Sequence, residues 1–307
     1  MSAPMSYAFL GPFGTFCHQA VAQVAPADAE LVPCAGERVA MDATRDRRTE
    51  RTVVPIENSV EGGVTATLDS LAWGKRLQIV QEIIVPVAFT LAVRPGTRLE
   101  DIKQVGTHSH AWAQCRNWAA DTLPDAHHTP TTSTAEAARL LAEGPQSFQA
   151  CLSSAAAVQM YGLTPLISDV ADNKGAVTRF VVLSLPGHVP DATGADKTTI
   201  QVRLRENHAG ALLQMLEQFR ARGVDLTRIE SRPVAGQPGS YGFSIDLAGH
   251  VREERVQAAL NGVYRTCADV RFLGSYPRAD ERCNEVEAGT EDADFVAARE
   301  WVQALLD

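Results

Sequence analysis

Short apolar runs alternate with helical stripes from Tyr7 to about Leu185, the pattern of strand–helix crossovers and of mostly parallel sheets. Tyr7 to Leu10 predicts a first strand, and Cys17 to Val24 predicts the helix behind it. The apolar stretch Ile79 to Val93, broken by Pro86, predicts a strand that carries the chain from one lobe into another, with Phe180 to Leu185 as the return. Two α/β lobes joined by paired strands would hold a site between them, where closure excludes water. This reading assigns residues 1–186 to one two-lobed domain, its second lobe running over about 86–179.

Residues 187–196 mix Pro, Gly and polar side chains without periodicity and read as a linker. A new domain is expected over 197–276. Ile200, Val202 and Leu204 alternate as a strand, and Leu212, Leu213, Leu216 and Phe219 mark a helix face that Gly223 ends. Leu226 to Val234 and Tyr241 to Leu247 predict two strands joined by a turn at 236–239. Val256, Leu260, Val263, Tyr264 and Cys267 then recur at helical spacing before a last strand at Val270 and Phe272. The order βαββαβ is a ferredoxin-like, α+β unit. Residues 277–307 form an acidic tail with a short helix near Phe295 to Leu306.

Composition narrows the function classes. The 307 residues predict more than one domain, and 45% hydrophobic with 21% charged residues is an ordinary globular balance. A net charge of -9 argues against a nucleic-acid partner, and apolar runs stop well short of a membrane span. The N-terminus lacks a basic region before an apolar stretch, so a cytoplasmic location is expected. Six cysteines without C-x-x-C spacing suit reduced thiols. His108 with His110, and His127 with His128, lack a carboxylate partner in the sequence pattern, so neither a metal nor another cofactor is expected.

Candidate chemistry gathers at strand ends. Glu57, Asn58 and Ser59 put an acid, an amide and a hydroxyl in a row after an apolar run and before Gly62-Gly63, as at a ligand mouth; caps and turns are the plainer alternative. Ser59 would cap the helix through Thr67, Leu68 and Leu71. Thr178 and Arg179 open the run from Phe180, a hydroxyl and a guanidinium suited to a leaving oxygen and an anion. Gly14 and Thr15 sit in a strand-to-helix turn whose N–H groups would hold a carboxylate, or merely turn the chain. Over Thr107 to Asp121, Trp112, Cys115 and Ala119 make one helical stripe and His110, Gln114 and Asn117 another, facing cleft or solvent. Ser133 to Glu136 matches a capping box. No Gly-x-Ser-x-Gly elbow occurs.

Taken together, GPFGTF at 11–16, VPIENSVEGGVTATLD at 54–69, AQC at 113–115, TRF at 178–180, GALL at 210–213 and IESRP at 229–233 make the chain resemble prephenate dehydratases with a C-terminal ACT regulatory domain. The resemblance covers Tyr7 to about Tyr276. It implies a catalytic domain like type II periplasmic binding proteins, a homodimer or homotetramer, and phenylalanine as allosteric effector. The essential Thr of the family falls on Thr178, with Arg179 and Phe180 beside it. Its strand-end acid and amide fall on Glu57 and Asn58, and its Ser, Gln and Cys on Thr107, Gln114 and Cys115. Substrate contacts would then include Arg179, Phe180, Thr15, Gly14 and Ser59. Effector contacts would fall on Gly210, Ala211, Leu212, Leu213, Glu230, Ser231, Arg232 and Pro233. The chain departs from the family at Ala176 (Asn), Cys17 (Ser) and Ala209 (Pro).

The implied reaction removes CO2 and a ring hydroxyl from prephenate, a dianion, to give an aromatic ring in phenylalanine biosynthesis. Hydroxide is a poor leaving group, so the catalyst must donate a hydrogen bond to it. Thr178 would do so, with Asn58, Thr107 and Gln114 completing the set and Arg179 on a carboxylate or supporting its loop. Glu57 beside a dianion must be protonated, paired with a cation or turned away. Competing readings are an arogenate dehydratase, a decarboxylase that keeps the hydroxyl, and a two-lobed solute receptor without catalysis.

Overall fold

The computed structural model describes residues 4–234 and 240–306; the turn expected at 236–239 lies outside them. β1 (Ser6–Leu10) buries Tyr7, Ala8 and Phe9 and pairs in parallel with β2 (Glu30–Cys34) and β3 (Arg51–Asn58). The crossovers are α1 (Phe16–Val24), which buries Cys17, Ala20 and Val21, and α2 (Glu37–Arg45), which buries Ala40, Met41 and Ala43. β4 (Gly62–Gly63) folds back antiparallel on Glu57 and Asn58, and α3 (Thr65–Trp73) follows.

β5 (Gln78–Pro86) leads to β6 (Thr90–Val93), β7 (Gln104–Thr107), α4 (Ser109–Gln114), α5 (Arg116–Thr122) and β8 (His127–Pro130). Then come α6 (Thr134–Glu143), β9 (Ala150–Ser153), α7 (Ala155–Met160), β10 (Thr164–Ile167) and the return strand β11 (Val177–Ser184). The first sheet has the order β2-β1-β3-β11-β5, with β4 on β3, and the second β10-β6-β9-β7-β8. The second sheet is mixed, not mostly parallel: β6 is antiparallel to both β9 and β10. It is entered directly from β5 without a helix, so the right-handed crossover that makes helix-linked strands parallel does not apply. The expected helix over Thr107 to Asp121 is also broken. Cys115, at φ -119° and ψ 14°, ends α4 and starts α5. Ala111, Cys115 and Ala119 are the buried stripe, while Trp112 stacks on His128 at 5.1 Å with 6° between the rings.

The third sheet follows the expected βαββαβ order. β12 (Asp196–Arg203), α8 (Ala211–Arg220), β13 (Leu226–Pro233), β14 (Tyr241–Ala248), α9 (Glu254–Thr266) and β15 (Asp269–Pro277) form an antiparallel sheet in the order β13-β14-β12-β15. Ile200, Val202, Ile245 and Leu247 pack against Met215 and Phe219 of α8 and Val256, Ala259 and Val263 of α9. The alternation in β14 predicts one solvated face, yet Gly242 to Ala248 are all buried. The opposite face is closed by a polar network. Arg228 Nε donates to Asp246 Oδ2 at 3.0 Å, and Thr199 Oγ1 lies 2.7 Å from Asp246 Oδ1 and 2.6 Å from the Tyr276 hydroxyl. α10 (Asp292–Ala304) realises the tail helix, with Asp292 Oδ1 accepting from Glu254 N at 2.8 Å.

Two compact units emerge: Met1–Val64 with Ile83–Phe180, and Thr65–Glu82 with Val181–Asp307. α3 and the first half of β5 thus belong with the third sheet, for reasons visible in their partners. Arg232 Nε donates to Asp69 at 2.9 Å. Arg271 Nη1 donates to the carbonyls of Leu71 and Gly74 at 3.0 and 2.7 Å, satisfying the last turn of α3. Lys197 Nζ meets Glu82 at 3.1 Å, where Glu82 also accepts from Ala279 N. The expected linker is without regular structure up to residue 195, with Asp196 already in β12, and it is tied down: Gly187 N donates to Gln78 Oε1, and Arg252 pairs with Asp191 at 2.8 Å. Among the described residues no helix is long and apolar enough to cross a membrane.

Candidate active site

Within the first unit, the end of β3 and the start of β11 lie side by side. Ser59 N donates to Val177 O at 3.0 Å, and Val177 N donates to Ser59 Oγ at 2.9 Å. Ser59 therefore ties two strand ends together and does not cap α3. The cause is β4, whose two glycines pair back on Glu57 and Asn58 and push the helix start to Thr65.

Asn58 uses both ends of its amide. Oδ1 accepts from Val60 N at 2.8 Å and Glu61 N at 3.2 Å, which fixes the flip of the group. Nδ2 then faces Thr178 Oγ1 at 2.9 Å. An amide nitrogen only donates, so the Thr178 oxygen accepts and its own proton remains for another acceptor. Thr178 is buried, as is Arg179, whose Nη1 lies 3.4 Å from Glu57 Oε2. Of the three options for Glu57, the structure shows pairing with a cation.

A second group of side chains hangs on the same turn. Glu61 Oε2 lies 2.5 Å from His110 Nδ1, and Glu61 Oε1 accepts from Gln114 Nε2 at 3.1 Å. His110 and Gln114 stand four apart on α4 and so share a face. The Gln114 amide oxygen is buried and has no hydrogen-bond partner among the described residues. His108 caps α4, its Nδ1 accepting from His110 N at 3.3 Å; burial pushes its imidazole below the ordinary value and favours the neutral ring this bond needs.

The other sequence candidates lie elsewhere. Thr107 is fully buried and its hydroxyl donates to Leu152 O at 2.8 Å, which leaves its proton engaged. Thr15 caps α1, accepting from His18 N while its own hydroxyl lies 3.0 Å from the Leu10 and Pro12 carbonyls. Gly14 N donates to His18 Nδ1 and Gly14 O accepts from Ser154 Oγ. At φ +87°, where an added Cβ would come within 3.1 Å of Ala157, this position is a close-packed turn and not an open N–H cradle. Phe180 is 2% exposed and belongs to the core. Ser133 caps α6 through Glu136 N, but the Glu136 carboxylate goes to Arg139, so only half of the capping box forms.

Comparison with known proteins decides the family. The model of the prephenate dehydratase family matches residues 7–187, more than half of the chain. The chain belongs to the prephenate dehydratase family. It is 42% identical over 299 residues to a prephenate dehydratase of Amycolatopsis methanolica, covering 97% of each chain. A prephenate dehydratase from Arthrobacter aurescens, solved in complex with L-Phe, superposes with a TM-score of 0.94 at 48% identity, over 98% of this chain and 99% of that one. GqqA, described as a novel type of quorum quenching acylase, superposes with a TM-score of 0.80 at 29% identity, over 90% of this chain and all of that one.

In the dehydratase frame, Glu57, Asn58, Ser59, Thr178 and Arg179 come together, and Gln114 is joined through Glu61. Glu61 was not among the site residues expected from the sequence, and His110 was left on a stripe facing either cleft or solvent. The available signals were the position of Glu61 in the same polar run and of His110 one helical turn before Gln114. The segments expected to contact an effector lie in the second unit. Gly210, at φ +88°, starts α8, Ala211 lines a cavity of about 220 Å³, Leu212 and Leu213 are exposed, and Glu230 to Pro233 run along β13. None of residues 230–233 lines that cavity; Arg232 is engaged by Asp69.

Proposed function

We propose that the chain is a carbon-oxygen lyase converting prephenate to phenylpyruvate, CO2 and water. The observation that carries this reading is the Thr178 hydroxyl, which accepts from Asn58 and so keeps its proton for a leaving group. Prephenate dianion plus one proton balances phenylpyruvate monoanion, CO2 and water. As the ring C–O bond lengthens, negative charge grows on the departing oxygen, and a fixed donor there stabilises the transition state more than the ground state. The ring carboxylate supplies the electrons that form the aromatic system as its C–C bond breaks. Arg179, held by Glu57, orients the anionic substrate or holds the Thr178 strand.

The match to a family of two-lobed enzymes supports a catalytic domain like type II periplasmic binding proteins, and the βαββαβ unit supports an ACT regulatory domain over 197–276. The L-Phe complex of the Arthrobacter protein supports phenylalanine as effector, with Gly210 to Leu213 and Glu230 to Pro233 supplying its contacts in a homo-oligomer. The buried thiols of Cys115 and Cys151 are pushed up to about 12 by burial, and Cys17 is raised further for the same reason, so none of these three is an activated nucleophile for an acylase.

Incubating the purified chain with prephenate, and separately with arogenate, tests the assignment. Phenylpyruvate from prephenate is the expected product. Phenylalanine from arogenate as the faster reaction would make it an arogenate dehydratase, and a non-aromatic product would overturn the dehydration.

A further inference from the structure

We propose that His110 and Gln114 form a carboxylate subsite for the retained side-chain carboxylate of the substrate, and that Glu61 fills this subsite as an internal stand-in until substrate displaces it. The inference rests on the dehydratase reading. Its geometry is that of a two-point carboxylate receptor: one Glu61 oxygen meets His110 Nδ1 at 2.5 Å and the other meets Gln114 Nε2 at 3.1 Å. Both donors come from one face of α4, a turn apart, so they approach a single carboxylate together. The carboxylate they hold belongs to the turn that Asn58 Oδ1 clasps, while Asn58 Nδ2 holds Thr178. One side chain thus links the leaving-group donor to the turn that carries the internal anion.

Chemistry selects which substrate carboxylate fits. The ring carboxylate departs as neutral CO2, so firm donors on it would stabilise its charge in the ground state and slow its loss. The side-chain carboxylate keeps its charge throughout, and donors there hold the substrate without opposing the reaction. A dianion also cannot share this space with the Glu61 carboxylate, because the like charges repel. Substrate entry therefore requires Glu61 to swing out, which its half-exposed side chain permits. Gln114 Oε1, buried and without a partner among the described residues, remains available to a donor on the ligand.

The test is steady-state kinetics with prephenate on the full chain, together with inhibition by phenylpyruvate, which retains the side-chain carboxylate. Losing a charge-assisted donor is a factor of about ten in affinity. His110→Ala should raise KM and the phenylpyruvate inhibition constant about tenfold each, while kcat changes by no more than about twofold. His110→Gln, which keeps a donor, should restore most of the binding. Glu61→Gln should lower both constants several-fold, since the competing charge is gone. KM and inhibition constant unchanged in His110→Ala, or both raised in Glu61→Gln, would overturn the subsite. Circular dichroism on each variant separates these outcomes from misfolding, and turnover of prephenate by the unsubstituted chain separates them from a failure of the dehydratase assignment.

Discussion

Asn58 is the residue on which the proposed chemistry turns, because its amide holds a backbone turn by one end and a hydroxyl by the other. Asn58→Asp would reverse the bond to Thr178: a carboxylate cannot donate, so the threonine proton would be drawn to it and away from the leaving group. We expect kcat to fall by about two orders of magnitude with folding intact, measured by phenylpyruvate formation and circular dichroism. Thr178→Ala should lower kcat by about two to three orders of magnitude, as for loss of one oxyanion donor, whereas Thr178→Ser should retain most of the rate. Near-normal turnover of Thr178→Ala would remove this hydroxyl from the reaction. The departure from the family at Ala176 is absorbed locally. Ala176 is 2% exposed and its carbonyl accepts from Val87 N, while Ser59 and Asn58 hold the two residues that follow it.

Two helix starts depend on an unprotonated imidazole. Gly14 N donates to His18 Nδ1 at the head of α1, and His110 N donates to His108 Nδ1 at the head of α4. Burial lowers both histidines below their ordinary value of about 6.5. Groups depressed in this way contribute stability that is full above the unfolded value and is lost as pH falls through the lower folded values. The urea midpoint should therefore drop between pH 8 and pH 5, and His18→Asn, which keeps an acceptor without a proton to gain, should make the drop shallower. An identical pH profile for His18→Asn would exclude this source. Element by element, legibility followed locality. The strand ending at Asn58 and the βαββαβ order are written in neighbouring residues, and hydrophobic periodicity reveals them. The fold-back of Gly62-Gly63 carries no side-chain pattern, and the break at Cys115 interrupts an otherwise continuous stripe. Glu61 meets Gln114 across 53 residues of chain, a pairing no local spacing encodes. The buried second face of β14 was hidden because Ser244 and Asp246 read as solvated when they are in fact hydrogen-bonded to Arg228.

At the scale of the molecule, the second unit is held by ion pairs of unequal weight. Arg228 with Asp246 is the most enclosed, with side chains 7% and 0% exposed, and Lys197 with Glu82 follows at 13% and 1%. Lys197→Met alone should destabilise by about 3–5 kcal/mol, because it removes the cation from a buried carboxylate, and adding Glu82→Leu should recover a large part of that loss. Denaturant titration of the single and double variants measures the difference; equal stability of all three would make the pair inconsequential. The effector assignment has its own check. Gly210→Val, strained at φ +88°, should weaken phenylalanine binding at least tenfold in calorimetry on the full chain, and unchanged affinity would remove the α8 start from the effector site. The guanidinium groups of Arg232 and Arg271 reach α3, which begins two residues beyond the Gly-Gly fold-back under Asn58. Modular exchange of the C-terminal portion between relatives would therefore go wrong at the obvious seam. A chimera cut at 187–196 would leave the donor's arginines facing a foreign helix, whereas one that also transplants Thr65 to Glu82 would carry both sides of the joint.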